Sequence, residues 1–304
     1  MPSAIVLESV QQHIRVRHME ILRAEEMGFC AGVRRAIEIM EAAAGDKGPI
    51  RTLGAIVHNP QVVERLRRQG VEVIEHLDQA DGAAVAITSH GVGPDVDREI
   101  ASRGLPMVDA TCPLVRQVHK AARALSQEGY GVVVFGESGH AEVQGILGWA
   151  GPRSLATTDP QDVQRERARL GRKLGVVCQT TQSPAALASF VSVVAQLLGE
   201  GLGELRVMNT ICQPTIKHQS SAVELATRVD FMLVVGGKTS ANTRRLAELC
   251  RAAGPETHHI ESAEEIDRAW LVGRERVGVT AGASTPDWVI EEVIEALRRL
   301  DSPR

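Results

Sequence analysis

The sequence has very few aromatic residues, and this scarcity argues against one class of function. Phe, Trp and Tyr make up 3% of the 304 residues, which leaves little for stacking on nucleic-acid bases. An excess of one charge is missing too, because 34 Lys and Arg stand against 38 Asp and Glu, a net charge of −4. A duplex-binding protein needs a basic face, so we expect no nucleic-acid partner.

Long hydrophobic runs are also lacking. The longest uncharged stretch, 174–199, carries the polar segment 179–184 in its middle, so we expect no membrane-spanning helix. The first residues include Glu8, Arg15 and Arg17 and form no apolar segment, so no secretory signal is predicted. We therefore expect a cytoplasmic protein without a membrane partner.

Cysteine is scarce, and its spacing argues against disulfides. The five cysteines are an odd number, and none of them forms a C-x-x-C pair. Without a secretory signal, such cysteines are better explained as thiols that carry chemistry or bind metal.

What the sequence does contain is a repeated pattern of a short apolar run, a small polar loop and a helical segment. The apolar runs lie at 55–57, 83–87, 106–108, 131–135, 174–177, 231–235 and 277–279. Alternating strand and helix signals of this kind predict an α/β fold with mostly parallel sheets. Sites in such sheets form outside the carboxyl ends of the strands, where the reactive residues of this chain also collect. We therefore expect one shared site.

Three cysteines share one context, the junction between a strand and the start of a helix. Cys30, Cys112 and Cys212 are 82 and 100 residues apart, about one small α/β domain each. Helix N-termini favour the thiolate, so three such thiols on a pseudo-threefold axis could bind metal. A buried cysteine is commonly only a small hydrophobic residue, an interpretation that fits Cys178 and Cys250 best. Three thiolates without a fourth indicate a 4Fe–4S cluster with one open iron.

Histidines and hydroxyl residues form a second group of candidates in the polar loops. His58, His90 and His140 follow three different apolar runs at equivalent positions, and imidazole N–H groups can bind phosphate oxygens. Glu142 could serve as a proton donor. Glycine-rich turns that open helices suit anions, and they contain Ser240, Asn242 and Ser284. These same residue types also cap helices or face solvent, and spacing alone does not separate the alternatives.

Nine motifs in this order resemble the 4-hydroxy-3-methylbut-2-enyl diphosphate reductase family, the last enzymes of the non-mevalonate isoprenoid pathway. The resemblance covers residues 19–300, and the ordered set is far more specific than any single motif. The motifs are Gly28-Phe29-Cys30-Ala31-Gly32-Val33, Val57-His58-Asn59, Ser89-His90-Gly91-Val92, Ala110-Thr111-Cys112-Pro113, Gly139-His140-Ala141-Glu142-Val143, Gln179-Thr180-Thr181, Thr210-Ile211-Cys212, Ser240-Ala241-Asn242 and Thr280-Ala281-Gly282-Ala283-Ser284.

The resemblance implies a trefoil of three small α/β domains around one central 4Fe–4S cluster. The cluster would be held by Cys30, Cys112 and Cys212, with the fourth iron open. From the repeated pattern we place an N-terminal extension at 1–18 and the three domains at 19–111, 112–211 and 212–304.

The resemblance also implies the reaction and the substrate-binding residues. Two electrons, typically from ferredoxin or flavodoxin, drive reductive dehydroxylation of the allylic diphosphate to isopentenyl or dimethylallyl diphosphate. Glu142 would supply protons, and Thr180 would lie near the substrate hydroxyl. The diphosphate would be held by His58, His90, His140, Ser240, Asn242 and Ser284.

Two departures from the family pattern and two alternative functions stay open. Ala241 stands where many members have a second serine, and His218 where an arginine is common. Neither removes a predicted cluster ligand or the proton donor. One alternative is a three-cysteine 4Fe–4S dehydratase or lyase of the quinolinate synthase type, which would not consume electrons. The other is a non-catalytic sensor that keeps the cluster, although a sensor needs no diphosphate site.

Overall fold

The computed structural model describes residues 19–301, so the predicted extension at 1–18 lies outside the described residues. Within that range the chain forms three four-stranded sheets, and every strand pairing is parallel. This arrangement confirms the predicted α/β fold with three units.

The first sheet has the strand order β3-β2-β4-β5. Its strands are β2 (Ile50–Leu53), β3 (Val71–Ile74), β4 (Ala84–Ile87) and β5 (Met107–Asp109), and its helices are α1 (Ala31–Lys47), α2 (Pro60–Arg67) and α3 (Pro94–Ser102). Apolar clusters cover the sheet on both faces, one with α1 and α2 and the other with α3.

The second sheet repeats this order as β7-β6-β8-β9. Its strands are β6 (Gly131–Phe135), β7 (Ser154–Thr157), β8 (Lys173–Cys178) and β9 (Glu204–Val207), and its helices are α4 (Pro113–Gln127), α5 (Ala141–Ala150), α6 (Pro160–Arg165), α7 (Arg167–Leu170) and α8 (Pro184–Leu198). The central strand β6 is buried along its whole length, as expected of a parallel sheet covered on both faces.

The third sheet keeps the order but takes one strand from the start of the chain. Read from its other edge, it runs β11-β10-β12-β1. Its strands are β1 (Glu20–Arg23), β10 (Phe231–Val235), β11 (Glu256–Ile260) and β12 (Arg276–Ala281), and its helices are α9 (Gln213–Ala226), α10 (Ala241–Ala252) and α11 (Asp287–Asp301). The strand β1 therefore occupies the edge that β5 and β9 occupy in the other two sheets.

This topology corrects the start of the predicted first domain. Residues 20–23 pair with β12, so they belong to the third sheet and not with the sheet of residues 50–109. The physical reason is that the third unit ends in α11 instead of a strand, so β1 supplies the hydrogen-bond partners of the β12 edge. The edge strands β1, β5 and β9 each lead through a cysteine into the first helix of the next unit.

Two further differences concern single elements. The apolar run at 55–57 is a loop, because the strand of that region is β2, which ends at Leu53. The helix α8 with the turn after it, Pro184–Gly201, is long and apolar enough by composition to span a membrane. Its apolar side packs into the core of the second sheet through Leu187, Phe190 and Val194. Its exposed side carries small or polar residues, including Ser189 and Gln196, as on a surface helix.

Candidate active site

The three predicted cysteines lie at the beginnings of α1, α4 and α9, one helix from each unit. Each is the residue immediately before its helix, and all three face one cavity. Their closeness depends on a glycine: a Cβ atom on Gly32 would lie 2.6 Å from the Cys112 sulfur and 3.9 Å from the Cys30 sulfur. The fold therefore gathers three thiols from positions far apart in the chain.

The thiols are partly desolvated and have few hydrogen-bond donors. The Val33 amide donates to Cys30 Sγ at 3.4 Å, and Cys212 Sγ lies 3.0 Å from Thr215 Oγ1. Burial raises the pKa of both thiols, that of Cys212 to about 11. Three half-buried thiols that line one cavity form a donor set for a soft metal or an iron–sulfur cluster, which supplies the positive charge that thiolates need.

The other two cysteines lie away from this cavity and are buried among apolar side chains. Cys178 belongs to the core of the second sheet and Cys250 to that of the third. Burial raises the pKa of Cys178 to about 11 and that of Cys250 to about 12. Both environments agree with the interpretation of these two as structural residues.

Three imidazoles line the same cavity. The ring centroids of His58 and His90 are 4.6 Å apart, and His140 lies 5.2 and 5.3 Å from them. Burial is the main cause that lowers the pKa of all three rings, that of His140 to about 4. The rings are therefore neutral at physiological pH.

The histidine cluster is compatible with two kinds of ligand, and its hydrogen bonds favour one of them. The ligating nitrogens all lie within 4.8 Å of one another, a spacing that a metal ion could use. However, His140 caps α5, and its Nδ1 accepts a hydrogen bond from the Glu142 amide at 3.1 Å. The proton of the neutral ring is then on Nε2, which makes that atom a donor suited to an anion.

Glu142 is a buried carboxyl held by a single residue. Its Oε1 accepts from the Thr180 amide at 2.6 Å, and its Oε2 accepts from the Thr180 hydroxyl at 2.8 Å. Its exposed fraction is 2%, and this burial raises its pKa to about 7, although both hydrogen bonds act in the opposite direction. At neutral pH the group is thus poised to give or take a proton.

Polar atoms without partners lie where the third unit meets the cavity. Among residues 19–301, both side-chain polar atoms of Asn242 and Nε2 of His58 are buried and have no hydrogen-bond partner. Ser240 caps α10 by accepting from the Thr243 amide at 3.3 Å, and the Ser284 hydroxyl donates to the His58 carbonyl at 3.5 Å. Buried polar atoms normally have partners, so these orphaned atoms indicate a polar ligand.

Cations contribute little to the cavity. Among the described residues that line it, Arg35 is the one with a cationic side chain, and it donates to the Thr111 carbonyl at 3.3 Å. Lys238 does not line the cavity and instead forms an ion pair with Glu265 at 2.5 Å. An anion bound here would therefore meet mainly imidazole, amide, hydroxyl and backbone N–H groups.

All eleven predicted site residues line this one cavity, which has a volume of about 290 Å³. They are Cys30, His58, His90, Cys112, His140, Glu142, Thr180, Cys212, Ser240, Asn242 and Ser284. Sequence reasoning missed Arg35 and Thr181, whose hydroxyl is buried without a partner. Thr181 stands beside Thr180 in the Gln179-Thr180-Thr181 motif, so the sequence pattern indicates it as a further candidate site residue.

Comparison with known proteins gives one consistent family. Residues 21–298 match the family described as LytB protein. The 4-hydroxy-3-methylbut-2-enyl diphosphate reductase of Dehalococcoides mccartyi (strain CBDB1) is 47% identical over 285 residues, which cover 93% of this chain and 99% of that protein. The enzyme of the same name from Geobacter sulfurreducens is 47% identical over 289 residues, covering 94% and 99%.

Solved structures agree with the sequence relatives. A structure of (E)-4-hydroxy-3-methyl-but-2-enyl diphosphate reductase, described as the terminal enzyme of the non-mevalonate pathway, is 39% identical with a TM-score of 0.66 and covers 92% of this chain and 99% of its own. A structure of the E-1-hydroxy-2-methyl-but-2-enyl-4-diphosphate reductase of Plasmodium falciparum is 27% identical with a TM-score of 0.85, covering 91% and 87%.

Proposed function

The chain belongs to the LytB protein family, and from this premise we propose that it is a 4-hydroxy-3-methylbut-2-enyl diphosphate reductase that works in the central cavity. The main observation that supports this proposal is that the buried carboxyl of Glu142 shares this cavity with three thiols and three neutral imidazoles. A metal-binding end, an anion-binding end and a proton source are the three parts that reductive loss of a hydroxyl from an allylic diphosphate needs.

We propose that Cys30, Cys112 and Cys212 hold one 4Fe–4S cluster with an open fourth iron. Their convergence at three helix starts and the close approach at Gly32 support this assignment. A bound cluster supplies low-potential electrons and a Lewis acid for the leaving oxygen. An electron donor such as ferredoxin or flavodoxin completes the proposal, in a cytoplasmic enzyme without a membrane or nucleic-acid partner.

The diphosphate is proposed to bind at the other end of the cavity. Its ligands are His58, His90, His140, Ser240, Asn242 and Ser284. The orphaned atoms of Asn242 and His58 and the Nε2–H of His140 support this assignment. Anchoring the charged end at a distance from the reacting carbon lets remote binding energy orient the hydroxyl end.

Glu142 is proposed to deliver the proton, with Thr180 beside the substrate hydroxyl. The Thr180 amide and hydroxyl hold the carboxyl in one orientation, which fixes the direction of proton transfer. A pKa of about 7 leaves a useful protonated fraction at neutral pH. The burial of Glu142 keeps water from competing for that proton.

The test is an assay of the anaerobically purified, cluster-loaded enzyme with 4-hydroxy-3-methylbut-2-enyl diphosphate, with and without reduced methyl viologen. We expect isopentenyl and dimethylallyl diphosphate only when the reductant is present. Conversion without a reductant would favour the dehydratase or lyase alternative. A loaded protein that binds diphosphate but never turns over would favour a sensor.

A further inference from the structure

An ion pair joins the second and third units beside the histidine end of the cavity. Arg244 on α10 places Nη2 2.6 Å from Oε2 of Glu137, which lies in the loop between β6 and α5. The two side chains are 37% and 42% exposed, so the pair is partly accessible to solvent and does not lie in the core.

Both partners are attached to the protein by further hydrogen bonds. The Glu137 amide donates to Gln179 Oε1 at 3.1 Å, and the Glu137 carbonyl accepts from the His140 amide at 2.9 Å. Arg244 also donates through Nη1 to the Lys238 carbonyl at 3.3 Å. The pair therefore connects two ordered segments, and neither end is a freely moving side chain.

These segments carry residues from both halves of the proposed diphosphate site. The Glu137 loop leads directly into His140, while α10 begins with the Ser240 cap and Asn242. The charge of Arg244 contributes to the lowered pKa of His58 and His140, which confirms that it lies close to the imidazoles. Neither Glu137 nor Arg244 lines the cavity itself.

We infer that the Glu137–Arg244 ion pair is a positioning clasp that holds the start of α10 against the His140 loop so that both contact the same diphosphate. The inference rests on the proposed function and adds two residues that do not touch the substrate. With the clasp intact, Asn242 and His140 face one ligand. Without the clasp, α10 keeps its own hydrogen bonds but loses its fixed position relative to the His140 loop.

Direct binding of the diphosphate by Arg244 would change the affinity of the Glu137→Gln variant in the opposite direction. If Arg244 bound the diphosphate directly, Glu137 would compete for it, and Glu137→Gln would strengthen binding. As a clasp, Glu137→Gln and Arg244→Gln both weaken binding, since either removes the pair, and Arg244→Gln weakens it more because it also loses the hydrogen bond to the Lys238 carbonyl and a positive charge near the anion. A charge swap, Glu137→Lys with Arg244→Glu, restores the pair in reverse and restores binding.

The experiment titrates inorganic diphosphate into the anaerobic, cluster-loaded enzyme by calorimetry and measures KM and kcat on the same samples. We expect each single variant to raise Kd and KM about two- to fivefold, the range of a half-exposed ion pair, with kcat nearly unchanged. The swap should return both constants to within about twofold of wild type. Arg68→Gln is the matched control, because Arg68, which directly follows α2, pairs with Glu64 of that helix and should change neither constant.

Three outcomes would overturn the inference. They are unchanged Kd in both single variants, tighter binding in Glu137→Gln, or a swap variant as weak as the single variants. Absence of diphosphate binding to the wild type would instead refute the proposed function, so the two failures are distinguishable.

Discussion

The two boundaries of the second unit are built in opposite ways. Towards the first unit, glycines bring backbones into contact: a Cβ on Gly148 would lie 2.8 Å from the Gly93 Cα, and one on Gly145 3.3 Å from the Gly91 carbonyl oxygen. The indole N–H of Trp149 adds a hydrogen bond to the Val92 carbonyl at 3.0 Å. We call these contacts the glycine seam.

Towards the third unit, long polar side chains make the contact instead. Arg244 pairs with Glu137, and Arg245 donates to Gln182 Oε1 at 3.3 Å. We call these contacts the ion-pair seam. Close backbone packing leaves no room for adjustment, whereas partly exposed ion pairs are weakened by salt and can be remade.

The difference divides the site into two sides. The helix α5 carries Glu142 at its start and the glycines of the glycine seam further along, so the proposed proton donor sits on the side of the closely packed seam, which we call the rigid side. Asn242 and Ser240 sit on α10 beside the ion-pair seam. The rate of the catalytic step should therefore depend on the side of the glycine seam. Substrate affinity should depend strongly on the side of the ion-pair seam.

The largest effect is expected at the cysteines, where all three units meet. Cys30→Ser, Cys112→Ser and Cys212→Ser should each lose most bound iron and acid-labile sulfide, because a hydroxyl binds iron far more weakly than a thiolate. Cys178→Ser and Cys250→Ser, buried outside the cavity, serve as controls and should keep the brown colour. Wild-type protein that contains zinc and no sulfide after anaerobic purification would refute the cluster assignment.

On the rigid side, Glu142→Gln should lower kcat by roughly 10²–10⁴ while diphosphate binding changes little, because the amide keeps the shape but cannot supply an acidic proton. Stopped assays and calorimetry check the two quantities separately. Near-normal turnover would assign the proton donor elsewhere.

The pH dependence of the unfolding free energy tests the raised pKa of Glu142. Folding raises the pKa of Glu142 from 4.5 to about 7. The folded state therefore holds this proton more tightly, and the resulting stabilisation is complete below about 4.5 and is lost as pH rises through about 7. We expect wild type to lose unfolding free energy relative to Glu142→Gln between about pH 4.5 and 7, measured by denaturant titration. A constant difference across that range would contradict the assigned pKa.

On the other side, Asn242→Ala and Ser284→Ala should each weaken diphosphate binding by about 1.5–3 kcal/mol, the value of a hydrogen bond to a charged group. Titration of product diphosphate measures this loss. Asn242→Ala should fold normally, since neither Asn242 side-chain polar atom has a hydrogen-bond partner among residues 19–301, and Ser284→Ala loses only a 3.5 Å hydrogen bond to the His58 carbonyl.

The glycine seam itself is broken by Gly148→Ala. The added Cβ would meet backbone and not a flexible side chain, so we expect a loss of about 1–3 kcal/mol in unfolding free energy. Gly139→Ala in the same unit has open space around its Cβ and should cost much less. Equal stability of the two variants would mean that the seam can relax.

The smallest effect is expected from Lys238→Ala. Its ammonium is exposed and paired with Glu265, outside the cavity, so diphosphate affinity should change less than about twofold. A loss greater than that of Asn242→Ala would show that binding depends on a point charge.

Most of the fold follows from local patterns. The central strands β4, β6 and β10 are unbroken apolar runs, and Pro113 and Pro184 begin helices α4 and α8. The edge strand β9 is partly exposed and mixed in composition, so no apolar run predicts it. The apolar run at 55–57 resembles a strand but forms a loop. Its residues are apolar because the loop is buried in the core of the first sheet.

The sequence by itself determined the fold class, the candidate ligands and their equivalence, since these depend on residue types and on positions relative to local strand and helix signals. Only the tertiary structure decided that β1 completes the third sheet, that Gly32 lets two sulfurs approach, and that Glu137 meets Arg244. These facts are contacts between segments far apart in the chain. Each is set by how three sheets pack around a common centre, and no local pattern of residues contains that geometry.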